Sequence, residues 1–212
     1  MHLLQPEFAI ERDEALDFAA RRGFGLLIAH DGGRPIGSHL PFVLKREGAD
    51  VTVQLHVTKA NPLAALADGQ REFLFVVTGP DTYISNDWYD RPDNVSTWLY
   101  EAVHLTGPAR RMELTANRAH GDALLAVAEA RAAPKPPWDL EAMEPVKREA
   151  MLAFIVSLEI DVARIEGQRK HNQLKPDSDH VAIVRMLQRR GEANGIAIAT
   201  QMRAARPALD YG

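Results

Sequence analysis

The feature that most constrains the fold is a series of short apolar segments separated by tight turns in the first half of the chain. Asp31-Gly32-Gly33 is a strong hairpin signal between the apolar segments 24–29 and 35–45. A second turn, at 47–50, precedes a segment that alternates between apolar and polar residues, 51–57. Strands joined by such short turns pair in an antiparallel manner, because parallel pairing needs a long crossover connection. The first half of the chain therefore predicts an antiparallel sheet.

The remaining segments show that strands and helices do not alternate regularly. Apolar content or a period of two predicts further strands at 72–78, 97–112 and 154–165. Helical periodicity, caps and glycine stops predict helices at 10–22, 61–67, 114–132, 177–190 and 195–205, and in part of 138–153. A doubly wound parallel sheet needs strict alternation, so this pattern does not favour it. A closed or split antiparallel barrel with peripheral helices fits better.

Composition limits the classes of function that the chain can support. The 212 residues suit one large domain, or one domain with a helical appendage. The 25 basic and 29 acidic residues leave a net charge of -4, which argues against non-specific nucleic-acid binding, since that relies on a basic surface. Without cysteine, the chain has no disulfide framework and no cysteine-based zinc site. The eight histidines show no metal spacing, so no metal is expected.

Targeting signals and several common catalytic motifs are missing from the sequence. The N-terminal residues lack the basic and apolar regions of a signal peptide, and no apolar run reaches the length of a membrane span. We therefore expect a cytoplasmic protein that does not contact membranes. The phosphate loop, the G-x-S-x-G elbow, H-E-x-x-H and G-x-G-x-x-G do not occur.

An aromatic-rich stretch, 83–107, holds two of the three tryptophans and three of the four tyrosines. On a strand, Trp98, Tyr100 and His104 share one face, while Thr97 lies on the other. Trp98 and Tyr100 could line a pocket for a planar ring, with His104 as a hydrogen-bond donor. Alternatively, the aromatic residues are half-buried in the barrel wall and His104 is a core histidine.

Two segments contain cations that could bind phosphate. Lys59 lies between a strand end and Asn61-Pro62, which opens a helix, and backbone N–H groups at a helix start favour anions. The alternative is that Asn61 is only a helix cap and Lys59 is solvated. The segment 164–175, around the end of the last predicted strand, contains four Lys or Arg and one acidic residue. It is either a second phosphate site or a solvated basic loop.

Five motifs occur in an order that resembles the PaiB family, which is described as FMN-binding negative transcriptional regulators. These are SHLPFVL, HVTKANP, TGPDTYISNDWY, VSTWLYEAVHLTG and EIDVARIEGQRKHNQ, between residues 38 and 173. The family belongs to the wider FMN-binding split-barrel group that includes pyridoxamine phosphate oxidase. The resemblance spans roughly residues 1–190, and five separated motifs are more specific than any one alone.

The resemblance implies a fold and an assembly. The expected fold is mainly β with α (α+β), a six-stranded antiparallel split β-barrel with peripheral and C-terminal helices. A single FMN-binding domain would cover 1–212, with a helical insertion at about 114–153 and C-terminal helices at about 177–205. The expected assembly is a homodimer with FMN in a cleft at the subunit interface.

The resemblance also implies a set of cofactor-binding residues. The residues expected to bind FMN are Ser38, His39, His56, Lys59, Asn61, Thr97, Trp98, Tyr100, His104, Lys170 and Gln173. The chain departs from the family pattern at some neighbouring positions. The departures fall at Leu55, Thr58, Lys59, Ser96, Leu99, Asn172 and Leu174, where Lys59 replaces arginine and keeps the positive charge.

The function that the resemblance implies is FMN binding with negative transcriptional regulation, and no catalytic residue is assigned. DNA contact follows from the family description and is not supported by composition. One alternative is a flavin-dependent oxidoreductase or reductase acting on a small molecule. Others are a member whose altered site does not bind FMN, or a haem-related module with His56, His104 or His171 as axial ligand.

Overall fold

The computed structural model describes residues 1–3 and 5–212, in which eight strands and six α-helices form. The strands are β1 (Phe24–His30), β2 (Pro35–Pro41), β3 (Val43–Glu47), β4 (Asp50–Thr58), β5 (Asp68–Ile84), β6 (Thr97–Arg111), β7 (Ile155–Asp161) and β8 (Arg164–Lys170). The helices are α1 (Arg12–Arg22), α2 (Pro62–Leu66), α3 (Ala116–Ala130), α4 (Pro145–Phe154), α5 (Asp177–Arg190) and α6 (Ala193–Ala205). Short 3-10 helices occupy Pro6–Phe8, Asn86–Trp88 and Leu140–Ala142.

The strands form one sheet in the order β2-β1-β5-β6-β7-β4-β3, and β8 pairs with β6. The pairs β1–β2, β1–β5, β3–β4, β4–β7 and β6–β7 are antiparallel, as where Leu27 lies opposite Ser38 and Leu55 opposite Leu158. The predicted α+β class, an antiparallel sheet with peripheral and C-terminal helices, is confirmed. The predicted number of strands is wrong, because eight form among the described residues where six were expected.

One extra strand arises because the predicted segment 35–45 breaks at Phe42. The Phe42 N–H donates to the carbonyl of Gly23 at 3.1 Å, and its side chain is 1% exposed. The ring meets Phe75 edge-on, with 4.7 Å between the centroids. Burying this ring turns the chain, so that β2 pairs with β1 while β3 pairs with β4.

The other extra strand arises because the predicted final strand, 154–165, breaks after Asp161. The Val162 N–H donates to the carbonyl of Val51 at 2.9 Å, and the next N–H, of Ala163, donates to Thr106 at 2.9 Å. β8 then continues to Lys170. The first seven residues of the basic segment 164–175 therefore form β8, and the others follow it.

Local signals place the helix ends well. The Asn61 side chain accepts a hydrogen bond from the Leu63 N–H at 3.0 Å, which is the cap predicted for α2. α5 begins and ends at the predicted residues. It stops at Gly191, whose φ of +72° suits glycine, and the Gly191 N–H donates to the Leu187 carbonyl at 3.2 Å.

The chain divides into two compact units. The terminal unit comprises 1–11, 78–102 and 166–212, and the central unit comprises 12–77 and 103–165. In the terminal unit α5 and α6 bury an apolar cluster: Ile84, Tyr89, Leu99, Ile183, Val184, Leu187, Ile198, Ala199, Met202 and Tyr211. The largest fully buried side chains of the central unit are aromatic: Phe42, Phe73 and Phe75.

Candidate functional site

Two cavities open at the start of β6 within the terminal unit. Thr97 lines a cavity of about 390 Å³, and its neighbour Trp98 lines one of about 770 Å³. We call them the Thr97 cavity and the Trp98 cavity. Successive side chains of a strand point to opposite faces, so residues next to each other in one motif serve different cavities.

The Thr97 cavity brings together two motifs that are far apart in the chain. Its lining residues are Gln5, Phe8, Tyr89, Val95, Thr97, Lys170, Asn172, Leu174 and Lys175. The ammonium group of Lys170 donates to the Thr97 hydroxyl at 2.5 Å, across 73 positions of sequence. Because β6 and β8 pair, the beginning of one strand and the end of the other meet here. Two of the residues predicted to bind FMN thus share one wall.

The charge of the Thr97 cavity is positive. Among the described residues that line it, Lys170 and Lys175 are the charged ones, and none is acidic. Burial and then the charge of Lys175 lower the pKa of Lys170. Lys175 is held by Asn94, whose side-chain oxygen accepts from its ammonium group at 2.5 Å, and lies 4.9 Å from the Tyr89 ring centroid. An anion bound between the two lysines would reduce their repulsion.

Asn172 lines this cavity and has an unusual backbone conformation. Its φ is +60°, a region that asparagine tolerates better than most residues. The Tyr89 hydroxyl donates to the Asn172 side-chain oxygen at 3.4 Å, and burial raises the pKa of Tyr89. The Asn172 side-chain nitrogen is buried and has no hydrogen-bond partner in the described part of the chain. Tyr89 and Asn172 thus add uncharged polar groups to a cavity whose charges come from Lys170 and Lys175.

The side chain of Gln173 forms hydrogen bonds with nearby backbone groups. The Gln173 side-chain oxygen accepts from the His171 N–H at 2.7 Å, and its nitrogen donates to the Arg169 carbonyl at 2.5 Å. Burial lowers the pKa of His171 to about 4, assisted by the charge of Arg169, so the ring is neutral at pH 7. Gln173 thus shapes the turn after β8, and its predicted role in binding FMN stays a prediction.

The Trp98 cavity is walled by three aromatic rings. The Tyr83 centroid lies 6.1 Å from that of Trp98 at 64°, and 6.5 Å from that of Trp88 at 74°. The guanidinium of Arg190 lies 5.0 Å from the Trp88 centroid. The remaining lining residues are Asp81, Thr82, Ser85, Glu192, Ala193 and Asn194. Trp98 itself is 54% exposed, so the cavity presents a large apolar surface to solvent.

Burial along β6 follows the predicted alternation except at Ala102, which lies on the Trp98 face and is buried. Leu99, Glu101 and Val103 are buried, whereas Trp98 is exposed. Tyr100 and His104 are half-buried, on the same face as Trp98. Glu101 forms an ion pair with Arg169, whose Nε donates at 3.2 Å.

In the central unit, two predicted site residues contact each other. The Asn61 side-chain nitrogen donates to the Ser38 hydroxyl at 2.9 Å, while its oxygen caps α2. The helix-cap interpretation of Asn61 is therefore confirmed, and a further role in binding FMN stays a prediction. Lys59 is exposed and lines another cavity of about 390 Å³, together with Arg118. The Arg118 charge is already matched by Asp122 and Glu141.

The predicted histidines of the central unit lie in different surroundings. His56 Nδ1 lies 3.1 Å from His120 Nε2, a contact across 64 positions that the sequence does not predict. Burial lowers the pKa of both rings, that of His120 to about 4, with the charges of His56 and Lys45 as the next causes. His39 is exposed and stacks on Phe24, with 6.4 Å between the centroids.

Most residues that line the two cavities were not assigned to the site from sequence, and several of them make the contacts described above: Tyr89, Asn172, Lys175 and Arg190. Lys175 belongs to the basic segment 164–175, and Asn172 is one of the departures from the family pattern. Tyr89 lies in a polar loop and Arg190 at a helix end. Their contacts with Asn172 and Trp88 join residues far apart in the chain, so the sequence does not predict them.

No group of three or more His, Asp or Glu side chains is arranged to hold a metal ion within 1–3 and 5–212. Over the same residues, no helix has the length and apolar character needed to cross a membrane.

Comparison with protein families and sequences identifies a consistent set of relatives. The family model described as "Putative FMN-binding domain" matches residues 1–164. The protein named protease synthase and sporulation protein PAI 2, from Bacillus subtilis strain 168, is 28% identical over 190 residues, which is 90% of each chain.

Comparison with solved structures supports the fold. The FAD and haem binding protein from Mycobacterium smegmatis is 17% identical, with a TM-score of 0.55 over 76% of this chain and 71% of that one. A conserved hypothetical protein from Mycobacterium tuberculosis is 16% identical, with a TM-score of 0.55 over 79% and 90%. The flavocytochrome Anf3 from Azotobacter vinelandii is 15% identical, with a TM-score of 0.53 over 77% and 70%. At these identities the likeness concerns the fold alone, and it agrees with the predicted split barrel.

Proposed function

Because this chain belongs to the PaiB family of FMN-binding split-barrel proteins, we propose that it binds FMN and that the Thr97 cavity receives the phosphate end. The observation that carries this proposal is the 2.5 Å contact between Lys170 and Thr97. It joins two family motifs in the wall of a cavity whose other charged group is also a cation, Lys175. A phosphate there accepts charge-assisted hydrogen bonds from both ammonium groups.

The remaining wall of the cavity suits the rest of a flavin. Phe8, Val95 and Leu174 provide apolar surface for a planar ring, and Tyr89 provides an aromatic face. A volume of about 390 Å³ falls within the range of small-molecule sites. The uncharged polar groups of Tyr89 and Asn172 can meet the hydroxyls of the ribityl chain.

The test is a titration of FMN monitored by quenching of flavin fluorescence. Lys170→Met is expected to weaken FMN binding by about tenfold or more, since hydrogen bonds to charged groups contribute about 1.5–3 kcal/mol. The same variant should leave riboflavin binding little changed, because riboflavin lacks the phosphate. Lys147→Met, at an exposed lysine of α4, is the matched control.

Two results would overturn the proposal at different levels. If wild-type protein shows no saturable binding at tens of micromolar FMN, about 6 kcal/mol of binding free energy, the protein does not bind FMN. If FMN binds but Lys170→Met and Lys147→Met behave alike, the phosphate lies elsewhere.

We also propose that the protein is a homodimer whose partner subunit covers the Thr97 cavity. Val95 and Leu174 lie at its wall and are 74% and 53% exposed. Apolar side chains exposed beside a ligand cavity indicate a surface that another chain covers.

Val95→Asp is expected to shift sedimentation toward the monomer and to weaken FMN binding. Val146→Asp, at a residue of α4 that is 75% exposed, should do neither. A monomeric wild-type protein contradicts the proposal.

The family description further leads us to propose negative transcriptional regulation. The net charge of -4 means that any direct DNA contact depends on a local basic surface. A gel shift with the protein's own promoter region should show a complex at low salt that weakens as salt rises. The absence of a shift at low salt would exclude direct binding to that DNA.

A further inference from the structure

The Trp98 cavity has features of a binding site that the proposed flavin site does not use. It has a volume of about 770 Å³, and none of its lining residues also lines the Thr97 cavity. Two of its aromatic residues, Tyr83 and Trp98, are 45% and 54% exposed. Large aromatic side chains that face solvent in a concave surface mark a place where a ligand binds.

The arrangement of the rings suits a cation. Tyr83 stands at 64° to Trp98 and at 74° to Trp88, so the rings form walls at steep angles around one space. The faces of aromatic rings carry partial negative charge, and cages of this kind recognise alkylated ammonium ions. The guanidinium of Arg190, 5.0 Å from the Trp88 centroid, already uses one ring in this way.

The charges that line the cavity favour the same ligand. Arg190 forms an ion pair with Glu192, so its charge is matched locally. Asp81 adds a second carboxylate, which leaves the lining with more negative than positive charge. Asp81 and Tyr83 are two positions apart on β5 and are both exposed, so they share one face of the strand. An ammonium ion against the Tyr83 ring would also face this carboxylate.

We propose that the Trp98 cavity binds an organic ammonium ion, held by the faces of Tyr83 and Trp98 and by the carboxylate of Asp81. The two cavities therefore favour ligands of opposite charge, because the two lysines of the Thr97 cavity favour an anion. Since Thr97 and Trp98 project to opposite faces of β6, both cavities can be filled together.

The test is calorimetric titration with benzyltrimethylammonium, compared with its neutral isostere neopentylbenzene. The cation is expected to bind with an affinity about tenfold higher than the isostere, because ring faces and a carboxylate both attract the charge. Trp98→Leu should abolish measurable binding, and Asp81→Asn should remove most of the preference for the cation. Trp138→Leu, at the tryptophan outside the cavity, is the control and should bind as the wild type does.

Each alternative outcome contradicts the proposal. Equal binding of the cation and the isostere would make the cavity a general apolar surface. Binding that survives both Trp98→Leu and Asp81→Asn would place the cation elsewhere. Competition between the cation and FMN would identify the Trp98 cavity as the flavin site. Circular dichroism of the variants, which alter exposed side chains, separates loss of binding from loss of folding.

Discussion

Two buried histidines, His120 and His171, show how single residues make the stability of the fold depend on pH. Burial is the main cause that lowers the pKa of each histidine to about 4. The second cause is the charge of His56 for His120 and the charge of Arg169 for His171. An unfolded histidine has a pKa near 6.5. The unfolded state therefore binds more protons between about pH 6.5 and 4, so the free energy of unfolding falls as the pH falls through this window.

Replacing one of these histidines should flatten the dependence on pH. Each contributes on the order of 3 kcal/mol to the decline between pH 7 and 4. His120→Gln is expected to lack the contribution of His120 to this decline. The free energy of unfolding in urea should therefore change less between pH 7 and 4.5 for this variant than for the wild type. His2→Gln, at an exposed histidine, should keep the wild-type slope. Equal slopes for His120→Gln and the wild type would mean that His120 is not held neutral by the fold.

Gly107 is required by a close approach of the backbone. A Cβ at this position would lie 1.8 Å from the carbonyl oxygen of Asp161, where the chain leaves β7. Gly107→Ala must displace backbone and is expected to cost about 3 kcal/mol of unfolding free energy. In Gly33→Ala, the new Cβ would lie 3.6 Å from the Asp31 carboxylate, so this variant should change little. Similar stabilities in urea would contradict the expectation.

At the scale of elements, one buried carboxylate connects α5 to the polar loop before β6. Asp179, in the first turn of α5, is fully buried and accepts from the Arg91 N–H at 3.0 Å. It also accepts from the Asn94 side chain at 3.4 Å, and Asn94 in turn accepts from Lys175 at 2.5 Å. This chain of contacts holds Lys175 at the Thr97 cavity, where its ammonium group lies 4.9 Å from the Tyr89 ring centroid.

Removing this carboxylate should loosen the loop and weaken FMN binding together. Asp179→Ala is expected to cost about 2 kcal/mol of stability and to raise hydrogen exchange at 91–95, since the donors from Arg91 and Asn94 lose a charged acceptor. Asp179→Asn keeps a hydrogen-bond acceptor, so it should lose less stability and less FMN affinity than Asp179→Ala. Asp13→Ala, in the first turn of α1 and exposed, should leave exchange at 91–95 and FMN affinity unchanged. FMN affinity that is unchanged in Asp179→Ala would show that the loop does not shape the site.

Element ends differ in how far local residues specify them. The ends of α5 follow from an acidic first turn and from Gly191, so its predicted range is confirmed. β5 was predicted at 72–78, yet it extends over Asp68–Ile84 and includes Pro80, which cannot donate to a ladder. Pairing with neighbouring strands outweighs the local breaker signal, and such pairing cannot be read from a short window.

At the scale of the whole molecule, we propose that the terminal and central units unfold together. β5 and β6 each contribute residues to both units, so neither unit can lose its strands independently. The tryptophans allow a test, since Trp88 and Trp98 belong to the terminal unit and Trp138 to the central unit. Trp138→Phe and the double variant Trp88→Phe/Trp98→Phe should show the same urea midpoint by fluorescence. Separated midpoints would indicate independent domains.

Sequence alone was sufficient for the features that depend on residues close together in the chain. The hairpin at Asp31-Gly32-Gly33, the Asn61 cap and the alternation from Thr97 to His104 are of this kind. Their physics acts within one turn or one strand, so it is present in any short window of sequence. The order of the family motifs added the split barrel and the flavin class, because it compares positions along the whole chain.

The grouping of the site residues required tertiary packing. Lys170 reaches Thr97 across 73 positions, and His56 meets His120 across 64. Alternation along the strand already places Thr97 and Trp98 on opposite faces, but only the packing shows that a different cavity lies on each face. Which side chains share a cavity depends on strand pairing and burial over long separations, and a linear pattern does not contain that information.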